Sequence, residues 1–283
     1  MRTELAGRTV SAFATGPSAA WVDFYEYAGR LLARGAVPWL DQARFAAFHS
    51  QAQGLLKSGV VELPLEPILR AMAAASDDLA RDMRGKSRLG YPLRVLLGHP
   101  ALRESLIALL APLRSANPTR PLVLSMPSPG RLLELAYELA HRAPPTSPVG
   151  PEDAANAAVY LADLLGALSE SRLDSLLIIE PPTVSDLADE WLESYEPIVN
   201  KAQHYRWEVG LMAAGAENAV PAEAGFDYQI GMGRSPGRIG HLIRYGAEGP
   251  SGAIEKEGVG FYYITMSGDV IPERLLSWLE QFR

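Results

Sequence analysis

Carboxylates at the ends of apolar runs are the residues of this chain best placed to do chemistry. The run Leu176–Leu177–Ile178–Ile179 is followed by Glu180 and then by Pro181 and Pro182. A short, wholly apolar run of this kind predicts a strand buried on both faces, and the prolines end its ladder pairing. Glu180 then stands at a strand's carboxyl end, where α/β folds place their reactive groups. Desolvation there raises a carboxyl pKa and suits general acid/base work or substrate binding. The alternative is a carboxylate paired with a neighbouring arginine to hold a loop. Glu62 and Glu66 flank Pro64 after another apolar run. They offer a second carboxylate for an acid/base pair, or simply a solvated loop. Asp269, in the turn Ser267-Gly268-Asp269 after the last expected strand, faces a mouth or bonds its own turn.

Anion-binding chemistry is the second theme. Gly231–Gly237 reads GMGRSPG and is followed by Arg238. Backbone N–H groups of such a loop, with Arg234 and Arg238, suit a phosphate or carboxylate. The competing reading is a glycine turn with surface arginines. Its spacing departs from the dinucleotide fingerprint, so a nicotinamide cofactor is not expected. Arg94 lies inside the apolar run Leu93–Leu97, read as a strand, with Glu62 as one candidate partner; Arg244 is a further cation. His99, in Gly98-His99-Pro100, is a strand-end proton shuttle or a cap. Ser128, in Pro127-Ser128-Pro129-Gly130, sits where a substrate would lie. No G-x-S-x-G elbow surrounds Ser125 or Ser128, which excludes a hydrolase triad.

The elements that must position these groups alternate. Strands are expected at about residues 9, 60, 93, 122, 176, 207, 226 and 260. Helices are expected over about 20–34, 40–57, 68–84, 101–114, 131–142, 151–172, 185–203 and 272–282. Strand–helix alternation implies a parallel sheet with right-handed crossovers. Eight such units in 283 residues predict a single-domain (β/α)8 TIM barrel over residues 1–283. A doubly wound open sheet is the other arrangement compatible with the pattern. Ala143–Pro151 (APPTSPVGP) is expected to be a mobile proline-rich loop inside that domain.

Composition narrows the partners. The chain is 48% hydrophobic with a formal net charge of −7, ample for a large core. No basic run suggests a nucleic-acid surface, and acidity disfavours anionic membranes. Cysteine is absent and the five histidines show no paired ligand spacing, so thiolate nucleophiles and thiolate metal sites are excluded. Neither a metal nor an organic cofactor is expected. Met1–Thr9 lacks an apolar signal core and no stretch reaches spanning length, so a cytoplasmic location is expected. The partner is a small anionic substrate, with a homodimer left open.

Three stretches resemble a known superfamily. Ser125–Leu135 (SMPSPGRLLEL) resembles the strand and proline-rich turn of the uroporphyrinogen decarboxylase and cobalamin-independent methionine synthase families. Ile179-Glu180-Pro181 resembles the synthase segment ending in Asp-Glu-Pro. Tyr263–Trp278 (YITMSGDVIPERLLSW) resembles the decarboxylase C-terminus. The resemblance spans roughly residues 120–283. It implies a TIM barrel and, on the decarboxylase side, a metal-independent lyase. The synthases hold zinc through His and Cys ligands that this chain lacks, and Ile179 stands where they carry an acid. The decarboxylase's C-terminal histidine is replaced near Gly268-Asp269. The functions implied are therefore a metal-independent lyase or decarboxylase, a non-catalytic ligand- or partner-binding relative, or a methyltransferase that depends on a partner protein.

Overall fold

The computed structural model describes residues 9–14, 19–183, 187–215, 224–232, 238–251 and 259–282. Its elements in chain order are α1 (Val10–Phe13), β1 (Ala20–Asp23), α2 (Tyr25–Ala33), α3 (Gln42–Leu56), β2 (Val61–Pro64), α4 (Leu65–Ala75), α5 (Asp77–Met83), α6 (Gly90–Gly98) and α7 (Pro100–Ala116). There follow β3 (Leu122–Pro127), α8 (Pro129–His141), α9 (Pro151–Ala167), β4 (Ser175–Ile179), α10 (Asp189–Glu193), α11 (Glu196–Tyr205), β5 (Glu208–Met212) and β6 (Tyr228–Gly231). The chain closes with β7 (Arg238–Gly246), the short β8 (Gly249–Pro250), β9 (Phe261–Met266) and α12 (Pro272–Leu279).

The sheet runs β1-β9-β7-β6-β5-β4-β3-β2, and every neighbouring pair on that path is parallel. Only β8 is antiparallel, against β7. The two ends of the path meet: the Gly59 N–H donates to the Ala20 carbonyl at 2.8 Å, and the Val22 N–H to Ser58 Oγ at 2.9 Å. This is the nearly closed, eight-stranded parallel barrel of the expected single-domain (β/α)8 class. The helical layer is uneven. Helices follow β1 to β4, but among the described residues no α-helix lies between β5 and β9, and β6 reaches β7 through residues 232–237 alone.

Eight strands form the barrel, though not the eight expected. Thr9–Ala14 is one helical turn, α1, with Thr9 Oγ accepting from the Ala12 N–H at 3.0 Å. It plugs the amino end of the barrel. Glu208 accepts the Val10 N–H at 2.6 Å, and Val10 is fully buried among interior residues. The stretch 20–34, expected as one helix, begins as β1, because Trp21 and Val22 bury opposite faces. Leu93–Leu97 belongs to α6: Leu93, Leu96 and Leu97 fall on one buried stripe while Arg94 is exposed. The glycine-containing β7 (RIGHLIRYG) was not expected. It is a strand because its neighbours β6 and β9 supply its ladder. Among the described residues, no helix is long and apolar enough to cross a membrane.

Candidate active site

The barrel interior is built on aromatic side chains that glycines accommodate. Trp21, Tyr228, Phe261 and Tyr263 all point inward and are almost fully buried. Trp21 packs edge-on to Tyr263 at 5.1 Å and stacks on Phe261 at 6.0 Å. Gly210 leaves the space that the Tyr228 ring fills; a Cβ there would lie 2.1 Å from it. The Tyr228 hydroxyl is 2.9 Å from Ser175 Oγ, so the ring is anchored at both ends.

Glu62 is set into this frame. Val61 and Leu63 face the helices, so the pleat turns Glu62 inward, and it is only 4% exposed. Trp21 Nε1 donates to Oε2 at 2.8 Å, Tyr263 OH donates at 3.2 Å, and Ser125 OH donates to Oε1. The Tyr25 hydroxyl donates to the backbone carbonyl of the same residue at 2.5 Å. Burial pushes the Glu62 carboxyl up to about 8, helped by the charge of Asp23 and opposed by the Ser125, Trp21 and Tyr263 hydrogen bonds. Burial also holds the Tyr263 phenol well above its ordinary value, so it remains a donor.

Asp23 ends β1. Its carboxyl is pushed up to about 6, first by burial and then by Glu26, while the Tyr25 N–H opposes the rise from 3.3 Å. Asp23 keeps partial contact with solvent, which moderates that rise. In register, Asp23 lies opposite Thr265, which lies opposite Arg244. All three share the parity of the inward-facing Trp21, Tyr263 and Leu242. They therefore form a row at the carboxyl end of β1, β9 and β7: an acid, a hydroxyl and a cation around the mouth, above Glu62. Burial raises both carboxyls, Glu62 further than Asp23, and the charge of Asp23 adds to the rise at Glu62, the pattern of an acid/base pair.

The structure places the other expected residues elsewhere. Glu180 shares the helix-facing parity of Leu176 and Ile178 and looks away from the barrel axis. It lines a cleft of about 410 Å³ with Ser128, Gly130, Arg131, Val149 and Trp191. It is 5% exposed, and its Oε1 has no hydrogen-bond partner among the described residues. Burial pushes its pKa up to about 7, against the lowering effect of the Ser128 hydroxyl. Ser128 and Glu180 thus share a site, but not the one that holds Glu62. Asp269 is exposed on the rim and pairs with Arg30. Arg94 and His99 belong to the outer helices rather than to a strand: Arg94 lies over the Tyr91 ring, and His99 links α6 to α7. Arg94 is therefore not the partner of Glu62. Arg238 opens β7 opposite Gln229, at the strand end opposite the mouth. Arg234 lies outside the described residues. Glu66 pairs with Arg70 on the outside of α4.

Sequence reasoning missed Asp23, Trp21 and Tyr263 as site residues. Asp23 was hidden because Ala20–Arg34 reads at helical period. Trp21 and Tyr263 read as ordinary core, and nothing local marks them as partners of a glutamate 41 and 201 residues away. The residues present do not fit a thiolate-bound zinc. Cysteine is absent, and among the described residues no group of three or more His, Asp or Glu side chains could hold an ion.

No family model matches the sequence, and no curated protein matches it. Among solved structures, the chain is similar to a methyltransferase from Methanosarcina mazei, with a TM-score of 0.55 and 12% identity. The likeness covers 97% of this chain and 98% of that one. At this identity it shows a shared barrel fold.

Proposed function

We propose that the chain is a barrel enzyme of lyase or decarboxylase type, acting on a small carboxylate-bearing substrate at the carboxyl end of the sheet. The observation that carries this reading is Glu62, buried inside the barrel, held by three side-chain donors and next to Asp23 at the mouth. Arg244 binds the substrate carboxylate on one side of the mouth. When the carbon–carbon bond breaks and carbon dioxide leaves, the electron pair stays on carbon. The proton that Glu62 holds passes to Asp23, which delivers it to that carbon, and the pair then takes up a fresh proton from water. The aromatic interior excludes water from beneath the reacting atoms.

A second reading is transfer of a methyl group. It is favoured by one observation, the end-to-end likeness to a methyltransferase barrel. Proton NMR of a panel of small carboxylic and β-keto acids in deuterium oxide separates the two. Solvent deuterium at carbon or release of carbon dioxide, lost in Asp23→Asn and Glu62→Gln, is the outcome expected. Methyl transfer from a methyl donor, without exchange or decarboxylation, would favour the second reading instead.

A further inference from the structure

Outside the barrel, α6, α8 and α9 pack together and leave a cleft of about 460 Å³ between them. Its wall carries Lys86, Arg88 and Arg94, with Tyr91 and Tyr160 alongside and Leu133 below. Among the described residues, none of these three cations forms an ion pair. The acid on the same wall, Asp153, is already engaged, accepting the Gly150 N–H at 3.2 Å. Lys86 Nζ and the Arg94 guanidinium both lie over the Tyr91 ring, at 5.3 and 5.4 Å from its centroid.

The chain carries a net charge of −7, yet this concavity gathers three cations and a single acid. Gathering three unpaired cations in one concavity costs mutual repulsion, which an anion placed among them relieves. Cation–π contacts with Tyr91 hold two of the cations at the wall rather than free in solvent. The volume falls in the range of small-molecule sites. Arginine forks and an ammonium together match the several oxygens of a phosphate group better than a single carboxylate.

We propose that this cleft is a second, off-axis site for a small phosphorylated molecule, bound through its phosphate oxygens by Lys86, Arg88 and Arg94. It does not depend on the chemistry assigned to the mouth, because α6, α8 and α9 lie on the other side of the sheet.

Calorimetric titration of the whole chain with inorganic pyrophosphate at low ionic strength tests the proposal. Saturable binding that weakens as sodium chloride is raised is expected. The triple variant Lys86→Ala/Arg88→Ala/Arg94→Ala should lose at least about tenfold in affinity, consistent with the removal of charge-assisted contacts. Arg81→Ala, an exposed arginine that already pairs with Asp78, should bind as the parent does. Arg88→Glu, a single change at an exposed position, supplies the same test should the triple variant fail to fold. Titration with ADP identifies the source of the phosphate: tighter binding than pyrophosphate marks a nucleotide, and equal binding marks the bare phosphate group. The proposal is overturned by no pyrophosphate binding, by unchanged affinity in the variants, or by citrate binding as tightly as pyrophosphate.

Discussion

Glu62 and Glu180 are buried to nearly the same degree, 4% and 5% exposed, yet the molecule treats them in opposite ways. Glu62 points into the barrel and receives hydrogen bonds from Trp21, Ser125 and Tyr263. Glu180 points towards the helices and leaves one carboxyl oxygen without a partner among the described residues. Burial raises both pKa values, to about 8 and about 7. The difference lies in what surrounds them. Glu62 belongs to a network whose donors come from β1, β3 and β9, so it is over-determined in position. Glu180 is held by one side chain, the Ser128 hydroxyl, and by its own backbone, whose N–H donates to the Met212 carbonyl at 2.8 Å. Equal burial therefore does not imply an equal role. A fixed carboxyl beside a second carboxyl suits proton handling, whereas an isolated one lining a cleft does not by itself.

The contrast can be broken first at Glu62. Glu62→Ala leaves three buried donors unsatisfied and opens a cavity, a loss of about 3 kcal/mol or more. Glu62→Gln keeps the shape and should lose less than about half of that, as read by urea unfolding. A similar loss from both variants would mean that the hydrogen-bond frame is not what fixes the site. The next largest effect is at Gly210. A Cβ in Gly210→Ala meets the Tyr228 ring at 2.1 Å, and overpacking of this kind destabilises by about 2 kcal/mol. A variant as stable as the parent would show that the interior aromatics can yield.

The pH dependence follows from the sign of the shift at Glu62. The folded chain holds a proton that the unfolded chain releases near its ordinary value of 4.5, and keeps it until about 8. Folded protein thus binds more protons across that window, and its stability falls as pH rises through it. The melting temperature should decline from about pH 5 to about pH 8.5, and Glu62→Gln should flatten that decline. An unchanged slope in the variant would assign the proton elsewhere. The smallest effect is expected at Glu180. Glu180→Gln, at a carboxyl held by the Ser128 hydroxyl alone among side chains and with Oε1 unpartnered among the described residues, should change stability by less than about 1 kcal/mol at neutral pH. A loss as large as that of Glu62→Ala would erase the contrast between the two carboxylates.

Much of the barrel was legible in the sequence because its central strands are unambiguous. Leu122–Met126 and Leu176–Ile179 are apolar on both faces and too short for a helix, and they became β3 and β4. The failures have specific physical causes. Leu93–Leu97 is apolar apart from Arg94, but its buried residues fall at helical spacing within a helix that begins at Gly90. Trp21 satisfies a helical stripe as well as a strand's inward face. Arg238–Gly246 carries Gly240, which a packing-based reading discounts. In the barrel Gly240 makes room for Ile230 and Phe261, each of which would lie 2.7 Å from a Cβ there. The Glu180 expectation was right about burial and wrong about direction.

Composition and pattern alone therefore determined the parallel α/β class, the absence of thiolate chemistry and the burial of Glu180 at a strand's carboxyl end. Only the tertiary structure decided which carboxylate faces the barrel interior. A strand covered on both sides is apolar on both faces, so its sequence carries no phase to say which residues point inward. That phase is set by ladder pairing and by distant side chains such as Trp21 and Tyr263. These brought Glu62 and Asp23 together at the mouth and turned Glu180 away from it.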